Sequence, residues 1–463
     1  MNDSASLQNV SRRGFLQSTG LTLGASALAG ITLPKVFAQG SEQLRIALIG
    51  CGGRGTGATV NALSQANAPR LVAMADIFES KLNSSYSSLS AKFADRVDVP
   101  AERKFIGFDA YKHAMDCLKA GDIAIFTTPL AFRWVHFKYA IEKGLHVFME
   151  KPLTADGPTS RRMLELSKKA AEKNLKVGVG LMSRHSHAMQ ELYKRVQDGE
   201  IGELNMLRGY RMQGTIGSAF SEKWPETQSE LLWQLSRFHS FLWASGGAFS
   251  DFYVHHIDHL CWLKNAWPVK CHGVGGRTSR VSPNGGTYVD QNFDSYSAEY
   301  TFADGAKLFM DGRCMNGALP LYSSYAHGSK GMAIVSKSGD CGRPSSTYKG
   351  QAPVRENMIW TSPDPKIPDD PYFNEWVDLM AAIRNDEKYN EVERGVMASL
   401  VTSMGRYATH TAQEVTLEEM LNHEHEYAPD VDKWTMDSPP PVKADANGLY
   451  PVPEPGRKTK REY

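Results

Sequence analysis

Arg45-Ile46-Ala47-Leu48-Ile49-Gly50-Cys51-Gly52-Gly53-Arg54-Gly55 is the stretch whose reading decides the fold. A short apolar run, Ile46 to Ile49, enters a glycine-rich turn, and a helical pattern leaves it and continues to about Gln65. A second apolar strand, Leu71 to Ala75, ends in Asp76, which lies 21 residues beyond Gly55. Three glycines spaced in this way between a strand and a helix, with an acid at that distance, form a dinucleotide-binding fingerprint. Gly50 permits the tight turn, Gly52 lets backbone amides approach a pyrophosphate at the helix N-terminus, and Gly55 lets the helix pack on the strand. Gly53 and Arg54 complete the turn. Asp76 can accept hydrogen bonds from both ribose hydroxyls, whereas a 2′-phosphate would meet its negative charge, so NAD is favoured over NADP. Lys81 is the nearby basic residue that could offset that charge.

Outward from this turn the alternation continues. Asp122 to Thr127, His146 to Glu150 and Lys176 to Gly180 read as buried strands, with helices from about Phe132 to Lys143 and Thr159 to Ala171 between them. A doubly wound parallel sheet is predicted, a Rossmann-type α/β domain over residues 44–180. Ligands bind beyond the carboxyl ends of such strands, where Thr128-Pro129 and Glu150-Lys151-Pro152 fall. Lys151, directly after a buried strand and before a proline, is placed to donate to a substrate oxygen or a nicotinamide ribose; the plainer alternative is a surface lysine.

After Leu181 the pattern changes. Leu204 to Met212, Lys270 to Thr278, Asp294 to Phe302, Lys307 to Arg313 and Gly331 to Ser336 read as longer strands, with Asp304-Gly305 as a hairpin turn. An α+β domain with an open, mainly antiparallel sheet is predicted over residues 181–427, closed by helices Phe373 to Arg384 and Val392 to Ala412. Residues 428–463, with Pro439-Pro440-Pro441, Pro451, Pro453 and Pro455, read as an arm that lies on a neighbouring subunit.

Within this second half, Gly246-Gly247 opens a stretch with three histidines and two aspartates in nine residues, Asp251 to His259. On a helix, Asp251 and His255 lie four apart and share a face, while His256 projects about 100° round from His255. A carboxylate one turn from an imidazole orients the ring and raises its basicity, which suits a group that takes a proton from an alcohol. Packed core histidines and a zinc site are the alternatives, although adjacent His255 and His256 cannot both face one ion on a regular helix. Trp224, Trp233, Trp243 and Trp262 flank this stretch, with core packing or sugar stacking as their possible roles.

The N-terminus carries Ser11-Arg12-Arg13-Gly14-Phe15-Leu16, a twin-arginine export pattern, followed by a weakly apolar stretch and Val36-Phe37-Ala38. Residues 1–38 are expected to be a signal peptide cleaved after Ala38, which places the protein in the periplasm or outside the cell with no membrane anchor. The 463 residues hold 52 Lys plus Arg against 51 Asp plus Glu, too even a balance for a nucleic-acid binder. The six cysteines show no Cys-x-x-Cys pair and no zinc spacing, so neither a disulfide framework nor a metal is expected.

Together, Gly50 to Gly55, Asp76, Thr128-Pro129 with His136, Glu150-Lys151-Pro152 and Asp251 to His255 resemble the glucose-fructose oxidoreductase and inositol dehydrogenase family, Gfo/Idh/MocA, over residues 44–420. The resemblance implies NAD or NADP and a sugar or polyol substrate. It implies that Lys151 binds and polarises the reacting hydroxyl, His255 acts as base or acid, and Asp251 assists it. Gly50, Gly52, Gly53, Arg54, Gly55, Asp76, Thr128, Pro129, His136, Glu150 and Lys151 would hold the cofactor, with Arg184 and His256 beside the substrate. It also implies a homo-oligomer, dimer or tetramer. Because an exported enzyme meets little free NAD, retained cofactor with internal regeneration is expected. Two other readings stand beside the oxidoreductase: a redox-neutral NAD-dependent glycosidase, whose resembling members replace the Glu-Lys-Pro segment intact here, and a non-catalytic NAD-binding scaffold.

Overall fold

The computed structural model describes residues 43–341, 344–363, 369–456 and 461–463. The twin-arginine segment and the cleavage position after Ala38 lie outside the described residues. The first half runs β1 (Arg45–Ile49), α1 (Gly53–Leu63), β2 (Arg70–Asp76), α2 (Glu79–Lys92), β3 (Lys104–Ile106), α3 (Ala110–Asp116), β4 (Ile123–Phe126), α4 (Arg133–Lys143), β5 (His146–Met149), α5 (Gly157–Glu172) and β6 (Val177–Val179). All six strands are parallel in the order β3-β2-β1-β4-β5-β6. Every residue of β4, β5 and β6 is buried, as a parallel sheet covered on both faces requires. The order reverses between β1 and β4, which opens a crevice beyond the ends of those two strands. Helix α5 starts where Asp156 accepts the Thr159 N–H at 2.8 Å, with Pro158 in its first turn. The sequence reading does not anticipate α2, a serine-rich helix that buries only Leu82, Ser85 and Leu89.

The second half continues with α6 (His187–Gln197), β7 (Leu204–Gln213), α7 (Glu230–Ser236), α8 (Leu242–Ser245), α9 (Gly247–Lys264), β8 (Lys270–Gly276), β9 (Ser295–Thr301), β10 (Lys307–Cys314), β11 (Leu321–Gly328), β12 (Gly331–Ser336), β13 (Ser346–Lys349), β14 (Met358–Thr361), α10 (Pro371–Arg384), α11 (Val392–Thr411), β15 (Val415–Thr416) and α12 (Leu417–Asn422). The strands form one nine-stranded sheet, β14-β13-β12-β11-β7-β10-β9-β8-β15. It is antiparallel except where β7 and β10 run parallel, so the sheet is mainly antiparallel, as predicted, with one parallel pair. Strand β11 carries buried Ser323 and Ser324 in place of the apolar alternation that marks a strand, which is why the sequence reading omits it.

Helix α9 packs between this sheet and α11, and α10 lies on the other domain, where Trp376 meets Phe148 at 4.7 Å between ring centroids. The described residues of the segment predicted as an arm, 428–456 and 461–463, pack on their own chain. Trp434 packs edge-on against Phe132 and Trp243, the Gln234 side-chain amide donates to Val442 O at 2.7 Å, and Glu462 is buried against Arg406, His410 and Tyr427. Trp233 stacks on Tyr450, Trp243 donates to Gln234, and Trp262 stacks on Tyr193. The six cysteines are free thiols.

Candidate active site

Backbone geometry at the first turn builds the cofactor end of the site. Gly50 has φ of +95°, and a Cβ there would lie 2.8 Å from Thr128 N; a Cβ at Gly55 would lie 2.1 Å from Gly50 O. Only glycine fits either position. At Gly52 and Gly53 a Cβ would meet nothing within 4 Å, so the space before the α1 N-terminus is open. No side chain caps α1 and no acid stands in its first turn, leaving its free amides and positive dipole end for an anion. A cavity of about 660 Å³ begins there and is lined by Gly50 to Thr56, Asp76 to Phe78, Thr127 to Pro129, Phe132 and His136, with Leu235 and Phe238 reaching in from the second half.

Asp76 closes the far side of the turn. Its two oxygens accept the Cys51 N–H at 2.6 Å and the Phe78 N–H at 2.8 Å, which fixes the carboxylate at the end of β2. Burial pushes its pKa up, and these amides work against that. Each oxygen keeps a lone pair for a ribose hydroxyl. Lys81 rests its ammonium 4.6 Å from the Phe78 ring centre. On the opposite wall His136 meets the Thr128 hydroxyl at 3.2 Å, and burial, then the nearby Arg133, lower its pKa to about 3, so it is neutral. Arg133, which the sequence reading misses, donates to Phe126 O at 2.6 Å and Thr128 O at 3.0 Å and so holds the end of β4. The turn, the open helix end and the ribose-facing acid together fit a dinucleotide.

Glu150 and Arg54, both expected at the cofactor, face each other at 2.5 Å and tie the end of β5 to the start of α1. Arg54 also approaches Glu375 at 3.5 Å and lies over the Tyr372 ring. Lys151 reaches across to α9: its Nζ donates to the Asp251 carbonyl at 2.8 Å and lies 3.7 Å from Asp251 Oδ1. The other carboxylate oxygen of Asp251 is 3.2 Å from Nε2 of His239, a residue the sequence reading does not single out. Burial would raise the Asp251 pKa, but Lys151 and His239 hold it well below the usual carboxylate range. The i,i+4 spacing that predicts an Asp251–His255 pair therefore gives a shared face, while the carboxylate is hydrogen-bonded elsewhere.

His255 is buried, its Nδ1 has no hydrogen-bond partner, and burial lowers its pKa to about 4, so it is a neutral imidazole at pH 7. After burial, Asp340, which favours its charged form, and Lys151, which opposes it, act on it most strongly. Asp340, beyond β12, is a second residue that sequence reasoning misses; it is 3.4 Å from Arg211, which donates to Tyr322 Oη at 2.5 Å. His256 is fully buried beside Asp340, at 3.8 Å, and stacks on Tyr322. Arg184 forms a two-pronged pair with Asp258 at 2.7 and 3.0 Å and rests on Trp262, so its guanidinium is already engaged. Among the described residues, no group of three His, Cys, Asp or Glu side chains can hold a metal ion.

Residues 44–181 match the family described as GFO_IDH_MocA, oxidoreductase family, NAD-binding Rossmann fold. An inositol 2-dehydrogenase from Corynebacterium glutamicum is 26% identical over 258 residues, 53% of this chain and 61% of that protein. A scyllo-inositol 2-dehydrogenase (NAD(+)) from Bacillus subtilis is 30% identical over 159 residues, 33% of this chain and 38% of that one. The chain thus spans about six-tenths of the first of these relatives and less of the other. Among solved structures, aldose-aldose oxidoreductase from Caulobacter crescentus matches with a TM-score of 0.60 at 18% identity, over 81% of this chain and 100% of that one. Scyllo-inositol dehydrogenase from Lactobacillus casei, solved with NAD(H) and scyllo-inositol, matches with a TM-score of 0.57 at 18% identity over the same shares. These two likenesses concern the fold. The glycine turn, the strand order and the family match agree: residues 44–181 are a Gfo/Idh/MocA-type domain, the NAD-binding Rossmann fold of that oxidoreductase family.

Proposed function

We propose that this protein is an NAD-dependent oxidoreductase acting on a hydroxyl of a polyol, sugar or glycoside. The observation that carries the reading is the 2.8 Å contact from Lys151 Nζ to the Asp251 carbonyl. It joins the strand end on the cofactor sheet to the helix that bears His255, so groups 100 residues apart face one site. The relatives named inositol dehydrogenases support the choice of a polyol substrate. Bound against the Gly50 to Gly55 turn, NAD supplies the hydride acceptor. Lys151, held beside the Asp251 carboxylate, donates to the substrate oxygen and stabilises negative charge as it develops there. His255, neutral at pH 7, takes the hydroxyl proton. Glu150 and Arg54 hold the Lys151 segment against α1.

The export reading is part of the proposal: Ser11 to Leu16 supports passage through the twin-arginine route, with cleavage after Ala38, and a homo-oligomer working with NAD that stays bound. Retention is supported by cavity walls drawn from both halves of the chain. The test is to incubate the purified protein and NAD with myo-inositol, scyllo-inositol, D-glucose and aryl glycosides, following nicotinamide absorbance and product mass. Reduced cofactor and a product lighter by two hydrogens support the proposal. A released aglycone with no net redox change, or binding of NAD with no reaction on any of these probes, contradicts it.

A further inference from the structure

Asp251 stands one turn before His255 on α9, yet its carboxylate faces two other groups. One oxygen is 3.7 Å from Lys151 Nζ, and the other is 3.2 Å from Nε2 of His239. His239 lies in the short turn Phe238–Ser240 and is locked from several sides. The Ser218 N–H donates to its Nδ1 at 3.4 Å, the Ser218 hydroxyl meets the same nitrogen at 3.1 Å, and its carbonyl accepts from Asn292 at 2.8 Å. Its ring lies between those of Phe238, at 3.9 Å, and Phe252, at 5.2 Å. With Nδ1 the acceptor, the neutral ring carries its proton on Nε2, which therefore donates to Asp251. Phe238, the neighbour that fixes one ring face, also lines the cofactor cavity.

We propose that His239 is a positioning residue for Lys151, acting through Asp251: its Nε2–H holds the carboxylate turned toward the ammonium, so that Asp251 serves Lys151 and not His255. Without that hydrogen bond the carboxylate is free to rotate, and Lys151 loses the anion that fixes its place. His239 touches neither reacting atoms nor cofactor in this role. The inference rests on the proposed oxidoreductase function, and it adds a residue and a division of labour which that function does not require.

The test uses the full chain with NAD and with myo-inositol and D-glucose as probe substrates. His239→Phe keeps the aromatic stack and removes the donor; His239→Gln restores an amide donor. Misplacing a catalytic group by about 1 Å costs on the order of 100-fold in rate. We therefore expect His239→Phe to lower kcat by about that factor while NAD affinity and melting temperature stay at wild-type values. His239→Gln is expected to recover most of the loss, which a purely structural role would not produce. Equal kcat in wild type and His239→Phe overturns the proposal and leaves the oxidoreductase reading intact. If the wild type oxidises neither probe, that reading fails, and ¹⁵N-histidine NMR of the wild type and Asp251→Asn decides the positioning claim by itself. A proton on Nε2 of His239, with a shift that moves in Asp251→Asn, supports it; a proton on Nδ1 overturns it.

Discussion

In the proposed reaction His255 and Lys151 divide the proton chemistry because their surroundings differ. Lys151 has a carbonyl and a carboxylate within reach, while His255 is buried with an unpartnered Nδ1 and a pKa lowered to about 4. A base works in its neutral form, above its pKa, so a lowered pKa extends activity toward acid. Initial rates of alcohol oxidation are expected to hold from pH 7 down to pH 5 within about twofold, whereas an ordinary histidine near pH 6.5 would be about 97% protonated at pH 5 and lose roughly thirtyfold. Stopped-flow rates across that range check this. At the residue scale the glycine turn, Asp76 and Lys151 were legible because each follows from a local rule of spacing. Asp340, Arg211, Tyr322 and His239 were not, since they come from separate strands and loops that only the tertiary fold brings to His255 and Asp251.

Among the elements, α9 and α11 do most to place the site. Helix α9 begins at Gly247, which like Gly246 before it has a positive φ, and its first turn is held from α11 by Arg406, which donates to Ser250 Oγ at 2.7 Å. Arg406 is fully buried and paired with Glu462 at 2.9 Å, so the C-terminal segment anchors the residue that anchors α9, the helix bearing His255. Burial alone would raise the Glu462 pKa, but Arg406 and His410 depress it well below the carboxylate range. A depressed folded-state pKa adds stability above the unfolded value of about 4.3, and that stability is lost as pH falls below it. Removing one partner of a buried pair costs about 3–5 kcal/mol. Glu462→Gln is therefore expected to destabilise by that order in urea melts at pH 7, with the difference from wild type shrinking only as pH falls below about 4 toward the depressed folded-state value. The helices α10 and α11 were readable from their apolar periodicity. Strands β11 and β13 were not, because buried serines and threonines paired within the sheet interrupt the apolar signal.

In the whole molecule, the proposed function depends on the two halves meeting over one cavity. The parallel sheet supplies the turn and Asp76 to the cavity and the second half supplies the wall formed by Leu235 and Phe238, while Lys151 meets Asp251 of the second half at 3.7 Å. That wall is backed by the C-terminal segment, through Gln234 to Val442 and Trp233 on Tyr450. Burying a phenylalanine side chain contributes about 1.5–3 kcal/mol, so Phe238→Ala is expected to speed NAD release by roughly tenfold or more. Dialysis of the NAD-loaded protein followed by cofactor quantification checks it, and unchanged retention would remove Phe238 from the account. The two-domain order was legible from where strand–helix alternation stops. The mixed sheet and the return of the C-terminal segment onto its own chain were not, since both are set by long-range pairing that no local pattern encodes.

The most direct measurement of the central claim compares wild type, Lys151→Ala and His255→Ala, each titrated with NAD and then assayed for nicotinamide reduction with myo-inositol and D-glucose. The account predicts that all three bind NAD alike and that both variants lose at least about 100-fold in kcat. Turnover at the wild-type rate in both variants would contradict it.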